Sequence, residues 1–394
     1  MTQGMRPDET LTESEDLTQT FDAAVRYAAE VADSAADDVD RQSRFPHEAA
    51  QAFRERRLLS AVLPRELGGM GVTVAQMSDA VRTIAAHCSA SALVLAMHTI
   101  DVANLVRYGS TDSLQDLLRE IASAQLLCAN ANSEVGLGGD VGRSLCAVES
   151  SDGRCTLTKE ALAISYGEYA DLIFACARRS PDSEPTDQVQ AIFRRGSQLE
   201  PLSEWDAIGL RGTCSRSFRI VAEIDPNWIY PVPFPEIASN GGIQTTLVLL
   251  SSVWVGLAEA AAAKAHAYVR AAARRSIGST PKSALRLAEL SVNLDQIRGL
   301  LSTAARRVEL ADAEGTLEDP ELLAALRNLK VGSSEGGVSI ARAALEICGI
   351  AGYRRDTPFS LDRQLRDACG GLVMVSNDRI LHAGAEMLVV RKHL

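Results

Sequence analysis

The residues best suited to hold a ligand fall in one polar, glycine-rich loop, Asn132-Ser133-Glu134-Val135-Gly136-Leu137-Gly138-Gly139-Asp140. Gly136, Gly138 and Gly139 tolerate positive φ and let a ligand approach main-chain amides, so the loop can cradle a flat or phosphorylated molecule; a surface turn between strands is the alternative. Three further groups could do chemistry. His98 stands in an Ala/Leu-rich run, where a satisfied core histidine is the ordinary reading and a substrate-facing one the sharper. Ser376-Asn377-Asp378 offers a hydroxyl, an amide and a carboxylate in succession, which suits either a helix N-cap or a group aimed at substrate. His266 and Tyr268, two apart on a helical pattern, diverge and cannot both face one pocket. The eight cysteines are scattered without CxxC spacing and read as buried thiols, neither a zinc site nor a disulfide framework.

These groups are carried by mainly helical sequence with a β-rich middle. Residues 1–18 read as a frayed leader. Helical spacing runs over Phe21–Ala36, His47–Arg57, Val74–Cys88, Ala90–Arg107 and Thr111–Ala122, which predicts a helical domain over 19–122. Short β-type runs at Ser144–Val148, Cys155–Thr158, Leu172–Ala177, Gln190–Phe193 and Ser217–Ala222 predict a small β-domain over 123–225. A proline-rich connector over 226–238 reads as extended and unpaired. Long Ala/Leu-rich patterns at Gln244–Arg275, Ser283–Gly315, Pro320–Ile350 and Asp378–Lys392 predict a four-helix bundle over 239–394. With 394 residues and 46% hydrophobic content the chain can bury several cores. Its net charge of −11, with basic residues dispersed among acids, argues against nucleic acid as partner. The polar, acidic N-terminus lacks a secretory h-region and the apolar runs fall short of a membrane span, so the expected setting is cytoplasmic, with no membrane partner.

This order of domains resembles the acyl-CoA dehydrogenase superfamily of flavoproteins, and five motifs carry the resemblance. Pro64-Arg-Glu-Leu-Gly-Gly-Met-Gly71 is similar to the family's Pro-x-x-x-Gly-Gly-x-Gly loop, and Ser133–Asp140 to its Thr-Glu-Pro-x-x-Gly-Ser-Asp loop. Trp205-Asp-Ala-Ile-Gly-Leu-Arg-Gly-Thr-Cys-Ser215 matches its Trp-x-x-x-Gly-x-Arg-Gly-Thr-x-Ser turn. Arg274-Arg275-Ser276-Ile277-Gly278 resembles its Arg-x-x-Phe-Gly corner, and Cys348-Gly349-Ile350-Ala351-Gly352-Tyr353 with Arg366-Asp367 its C-terminal signature. The resemblance implies an N-terminal α-domain, a β-barrel-like domain and a C-terminal four-helix bundle. It also implies FAD, or reduced flavin supplied by a partner reductase, and a homotetramer or homodimer. As flavin-binding residues it implies Asn132, Ser133, Gly138, Gly139, Ala163, Ser165, Arg274, Arg275, Glu346, Gly349 and Gly352. The hydroxyls of Ser133 and Ser165 suit the hydrogen-bonding edge of an isoalloxazine ring. Arg274 or Arg275 and the Gly349–Gly352 turn suit a diphosphate, from the same or a neighbouring subunit. For Arg366-Asp367 the expected role is an internal salt bridge.

The family's dehydrogenases remove an α-proton with a glutamate, since a carbon acid this weak needs a positioned base. Here that position is Val375, with Met374 and Ser376 on either side, and no acid lies between Asp367 and Asp378 or between Glu236 and Glu259. The tryptophan that covers the flavin in the family is Ala163, and the loop's proline is Val135. Three readings follow. The first is an oxygen-using monooxygenase, or a decarboxylation-linked oxidation of a β-keto acid, with O2 as co-substrate. The second is an acyl-CoA or acyl-carrier-protein dehydrogenase with a relocated base, Asp378 being nearest, and an electron acceptor as partner. The third is a non-catalytic partner subunit. Ser376, Asp378 and His98 are the candidate catalytic residues, and the substrate is a small-molecule or carrier-tethered acyl or keto compound.

Overall fold

A computed structural model describes residues 7–196, 198–275 and 280–390, with side chains from Gln19 to Val389. Five helices come first: α1 (Pro7–Gln42), α2 (His47–Glu55), α3 (Val74–Ala85), α4 (Ser89–Tyr108) and α5 (Asp112–Ala124). The first already runs from Pro7, so the expected leader is helical over most of its length. Local chemistry sets the starts. Thr73 and Gln76 form a reciprocal capping box on α3, and the Thr111 side chain accepts the Leu114 N–H on α5. Helix α4 is apolar on nearly every face and is sheathed on all sides.

The middle region carries seven strands: β1 (Cys128–Ala131), β2 (Val148–Ser151), β3 (Arg154–Ile164), β4 (Leu172–Arg178), β5 (Gln188–Arg194), β6 (Gln198–Pro201) and β7 (Arg216–Ile224). They form one sheet ordered β1-β4-β5 and another ordered β2-β3-β7-β6. In the first, β1 and β4 are parallel with Cys128 opposite Leu172. In the second, β3 pairs antiparallel with β7, and the register shifts between Ala161 and Ile164. This irregularity frees the Ala163 main chain from the ladder. The expected strand at Ser144–Val148 is instead mostly irregular: Ala147 bridges Arg178, and the strand proper starts at Val148. The proline-rich connector is not free of pairing either: Ile229 bridges Ala191, the Tyr230 N–H donates to Gln190 O, and the short α6 (Phe234–Ile237) follows.

Helices α7 (Ile243–Arg275), α8 (Ser283–Glu314) and α9 (Pro320–Cys348) pack as a bundle with α7 at its centre. Gln244 at the start of α7 donates to Leu317 O beside the start of α9, so these two run in parallel with α8 antiparallel between them. The fourth column is not one long helix. After the single-turn α10 (Ile350–Tyr353) it consists of α11 (Asp362–Val373) and α12 (Asn377–Val390), interrupted at Met374–Ser376. Helix α4 and the stretch Phe234–Arg275 are long and apolar enough to cross a membrane, yet 78% and 83% of those windows lie buried, so both are core helices. One core joins the N-terminal helices, both sheets and Trp254; a second fills the bundle; a third lies under α5.

Candidate active site

The β-domain offers a patch of hydroxyls. At the β3 irregularity the Ser133 hydroxyl donates to Ala163 O at 3.2 Å and accepts the Ala163 N–H at 3.3 Å, so Ser133 and Ala163 meet side by side. Two residues on, the Ser165 hydroxyl lies 2.9 Å from that of Ser215, which lies 2.8 Å from the Thr213 hydroxyl. The Thr213 hydroxyl donates to Leu210 O (2.9 Å), and the Leu210 N–H donates to the buried carboxylate of Asp367 on α11 (2.6 Å). A continuous hydrogen-bonded chain thus runs from the bundle to Ser165. Burial raises the Asp367 carboxyl to about 6. Asn132 accepts from Gln190 Nε2 at 3.3 Å.

The glycine loop is held from both sides. Gly136, Gly138 and Gly139 have φ of 91°, 56° and 82°, where a side chain would be strained. At its base the buried Glu134 carboxylate accepts from the Ser144 hydroxyl (2.8 Å) and from the N–H groups of Leu145 (3.1 Å) and Cys146 (2.8 Å). It also lies 3.7 Å from the fully buried ammonium of Lys159, which donates to Cys176 O. Across the loop, the Arg379 guanidinium of α12 donates to Gly138 O.

The break between α11 and α12 completes the site. Lys330 on α9 is buried and donates to Gly371 O (2.8 Å) and Asn377 Oδ1 (2.6 Å), while Asn377 also bonds Ser334. Burial lowers the Lys330 ammonium to about 8. These bonds tie both sides of the break to α9, and within it Val375 is held at φ 52°, a costly value for a β-branched residue. Val375 lines a cavity of about 610 Å³ between the β-domain and the bundle. Phe234, Ile243, Leu247, Leu323 and Ile380 make its apolar wall, and Thr186, Gln188, Ser239, Arg327 and Arg379 its polar groups. Among the described residues no Asp or Glu lines it.

The structure redistributes the expected site residues. His98 is buried with both ring nitrogens engaged: Nε2 at 2.7 Å from Leu59 O, and Nδ1 accepting the Cys128 N–H at 3.0 Å. Burial lowers its pKa to about 4, so it is a neutral packing residue without a free nitrogen for substrate. Ser376 and Asp378 do not line the cavity, because Arg379, Ile380 and Ala383 present one face of α12 to it, with Val375 from the break before it, and these two lie off that face. The Ser376 carbonyl accepts the Ile380 N–H, which makes it a helix start. Arg366 does not pair with Asp367: it bonds Asp40 and Asp362, joining α11 to α1. Tyr268 packs edge-on against Phe359, and His266 is exposed.

Asn132, Ser133, Gly138, Gly139, Ala163 and Ser165 all belong to the β-domain and lie outside the lining of the Val375 cavity, and the other cofactor candidates do not join them within one chain. About 40 Å of helix separates Leu247, in the cavity wall, from Arg274. Arg274 and Arg275 are exposed at the end of α7, and Ser276, Ile277 and Gly278 of their motif lie outside the described residues. Glu346 sits near that same end, 3.6 Å from Arg286 and 3.8 Å from Arg342, and Gly349 and Gly352 follow it. Glu134, Lys159, Arg327, Lys330 and Arg379 were not singled out from sequence. The available signal was a charge placed at helical spacing within an apolar face, as for Lys330 beside Leu326 and Leu329.

Comparison with known proteins agrees with this architecture. Residues 14–125 match the model of the acyl-CoA dehydrogenase N-terminal domain, and residues 241–371 that of the acyl-CoA dehydrogenase C-terminal domain. Among curated relatives, the mitochondrial isovaleryl-CoA dehydrogenase of Solanum tuberosum is 23% identical over 89% of this chain and 84% of its own length. The dibenzothiophene monooxygenase of Rhodococcus erythropolis is 24% identical over 84% of each. The crystal structure of FMN-bound TdsC from Paenibacillus sp. A11-2 superposes with a TM-score of 0.81 at 18% identity, covering 93% of this chain and 97% of that one. With both terminal domains matched and the fold shared end to end, this chain belongs to the acyl-CoA dehydrogenase superfamily of oxidoreductases.

Proposed function

We propose that this chain is a flavin-dependent enzyme of the superfamily's monooxygenase branch, working without a proton-abstracting carboxylate. The observation that carries this reading is the cavity wall: Val375 stands in it at the helix break, and among the described residues the lining holds no Asp or Glu. An α-proton beside a carbonyl does not leave without a base, so a substrate here must react by another route. The donor set fits a flavin. Ser133, bonded to the Ala163 main chain, and the Ser165–Ser215–Thr213 hydroxyls form a half-buried polar edge, and the small Ala163 leaves room beside it. Bound flavin supplies the electrons and, when reduced, the activation of dioxygen. The protein's own groups orient the ring, shield the cavity from water and present the substrate. Similarity to a dibenzothiophene monooxygenase and to FMN-bound TdsC supports the reading.

A second copy of the chain belongs to this proposal. Arg274, Arg275 and the Gly349–Gly352 turn reach a flavin at the cavity only from a neighbouring subunit. Exposed apolar side chains on α8, α10 and α11, including Leu285, Val292, Leu310, Ile350, Tyr353 and Val373, offer the contact surface of a homodimer or homotetramer. Whether the flavin is FAD or reduced FMN from a partner reductase is read from the same experiment. The protein is reconstituted with each, reduced anaerobically and mixed with oxygen in a stopped-flow spectrometer. Two-phase, oxygen-dependent absorbance changes support the monooxygenase. Single-phase reoxidation together with bleaching of the oxidised flavin by acyl thioesters overturns it in favour of a dehydrogenase. Failure to bind either flavin leaves a non-catalytic subunit.

A further inference from the structure

Among the described residues, the cavity beside Val375 is lined by two guanidinium groups and no carboxylate. Arg327, on α9, is half-buried, and its hydrogen-bond partner is the thioether of Met387 at 2.7 Å. Arg379, on α12, has Gly138 O as its partner. Neither has an acidic partner among the described residues, and burial lowers the Arg327 pKa, as expected of a cation without a counter-charge. Arginines in the cleft between α3 and α8 are treated differently: Arg82 and Arg298 share the Glu259 carboxylate at 2.9 and 2.6 Å. The remaining wall of the Val375 cavity is mostly apolar, with Phe234, Ile243, Leu247 and Leu323, and its other polar groups, Thr186, Gln188 and Ser239, are neutral. A neutral ligand filling it would cover the half-buried Arg327 and the exposed Arg379 without offering either a counter-charge, whereas an oxyanion on an apolar body matches both halves.

Resting on the reading of this cavity as the substrate site, we propose that the substrate is a small amphiphilic anion whose oxyanion pairs with Arg327 and Arg379 and whose apolar body lies along Phe234, Leu247 and Leu323. An oxyanion could equally be the flavin's own phosphate, and the test separates the two sources. Octanoate and octanamide, alike in shape and different in charge, are titrated into the full-length protein by calorimetry, flavin-free and FMN-loaded. Octanoate is expected to bind at least about tenfold more tightly, the worth of one charge-assisted hydrogen bond. The preference is expected to fall in Arg327→Gln and in Arg379→Gln, to vanish in the double variant and to survive in the Arg327→Lys/Arg379→Lys protein. Circular dichroism confirms that each variant is folded, and the lysine pair keeps the test open if a glutamine variant is not. Equal affinity for acid and amide, or a preference that outlives both arginines, overturns the proposal. So does a preference abolished by FMN loading, with Arg379→Gln weakening FMN but not riboflavin, which would give the arginines to the flavin phosphate. A protein that prefers octanoate but takes up no flavin keeps this proposal and removes the monooxygenase reading.

Discussion

Replacing Asp367 by asparagine tests the chain of hydrogen bonds that links the bundle to Ser165. Asp367 is buried on α11 and accepts the Leu210 N–H at 2.6 Å, and burial raises its carboxyl from 3.8 to about 6. A carboxyl whose pKa is higher in the folded state binds its proton more tightly there, so the stability penalty of ionising it is absent below the unfolded pKa. It grows as pH rises and is complete above about 6. The full penalty is about 3 kcal/mol at about 1.4 kcal/mol per pH unit, of which about 2 kcal/mol develops between pH 4.5 and 7. The amide of D367N would keep an oxygen for the Leu210 N–H but cannot ionise. The stability of the wild type relative to D367N should therefore fall by about 2 kcal/mol from pH 4.5 to 7, read from urea unfolding at a series of pH values. Asp367→Ala, which leaves the buried Leu210 N–H without an acceptor, should cost about 1–3 kcal/mol relative to D367N at every pH. A pH-independent difference between wild type and D367N, or one growing in the opposite direction, would refute the argument that burial controls this carboxyl.

Two further substitutions probe the walls of the site. Glu134→Ala removes the acceptor for two main-chain N–H groups and the Ser144 hydroxyl and strands the buried Lys159 ammonium; it should cost about 3–5 kcal/mol in urea unfolding, with Glu134→Gln costing less. A loss under about 1 kcal/mol would show that the glycine loop is held by other contacts. Val375→Asn places a residue tolerant of the left-handed region where φ is 52° and should raise stability by about 1 kcal/mol, while no gain in thermal or urea midpoint would mean that the break stores no strain at that residue.

How far the sequence reveals this molecule depends on which interactions set each element. Helices α2 to α5 and α7 to α9 are legible because their apolar period and caps are local, as in the Thr73/Gln76 box. The Ser144–Val148 stretch reads as a strand by composition, yet the Leu145 and Cys146 N–H groups are taken by the Glu134 side chain rather than by a neighbouring strand. The interruption at Met374–Ser376 is hidden in the apolar run Leu372–Val375, because Lys330, more than forty residues earlier, holds it open through Gly371 and Asn377. The Arg366-Asp367 pair misleads in a similar way: adjacent side chains on a helix diverge, so each finds a partner in a different region of the chain. Motif resemblance pointed to a group of β-domain residues, Ser133, Ala163 and Ser165 among them, that the fold keeps close together. It did not locate the cavity's cations, since Arg327 and Arg379 gain meaning only when α9 and α12 place them on one wall.

Val375 and Arg379 line the same cavity, and that placement couples the missing base to the character of the ligand. A carboxylate at position 375 would stand on the same wall as the Arg379 guanidinium, and an ion pair between them would both hold the acid in its ionised form and neutralise the arginine. With valine there, Arg379 retains its charge and the wall gains an apolar surface. The same substitution therefore removes a proton acceptor and leaves a positive potential at the cavity. Arg379 is exposed, so solvent screens that potential and it acts chiefly on a ligand held close to the guanidinium. Under the proposed function, a chemistry that needs no base and a pocket that favours anions would both follow from one residue.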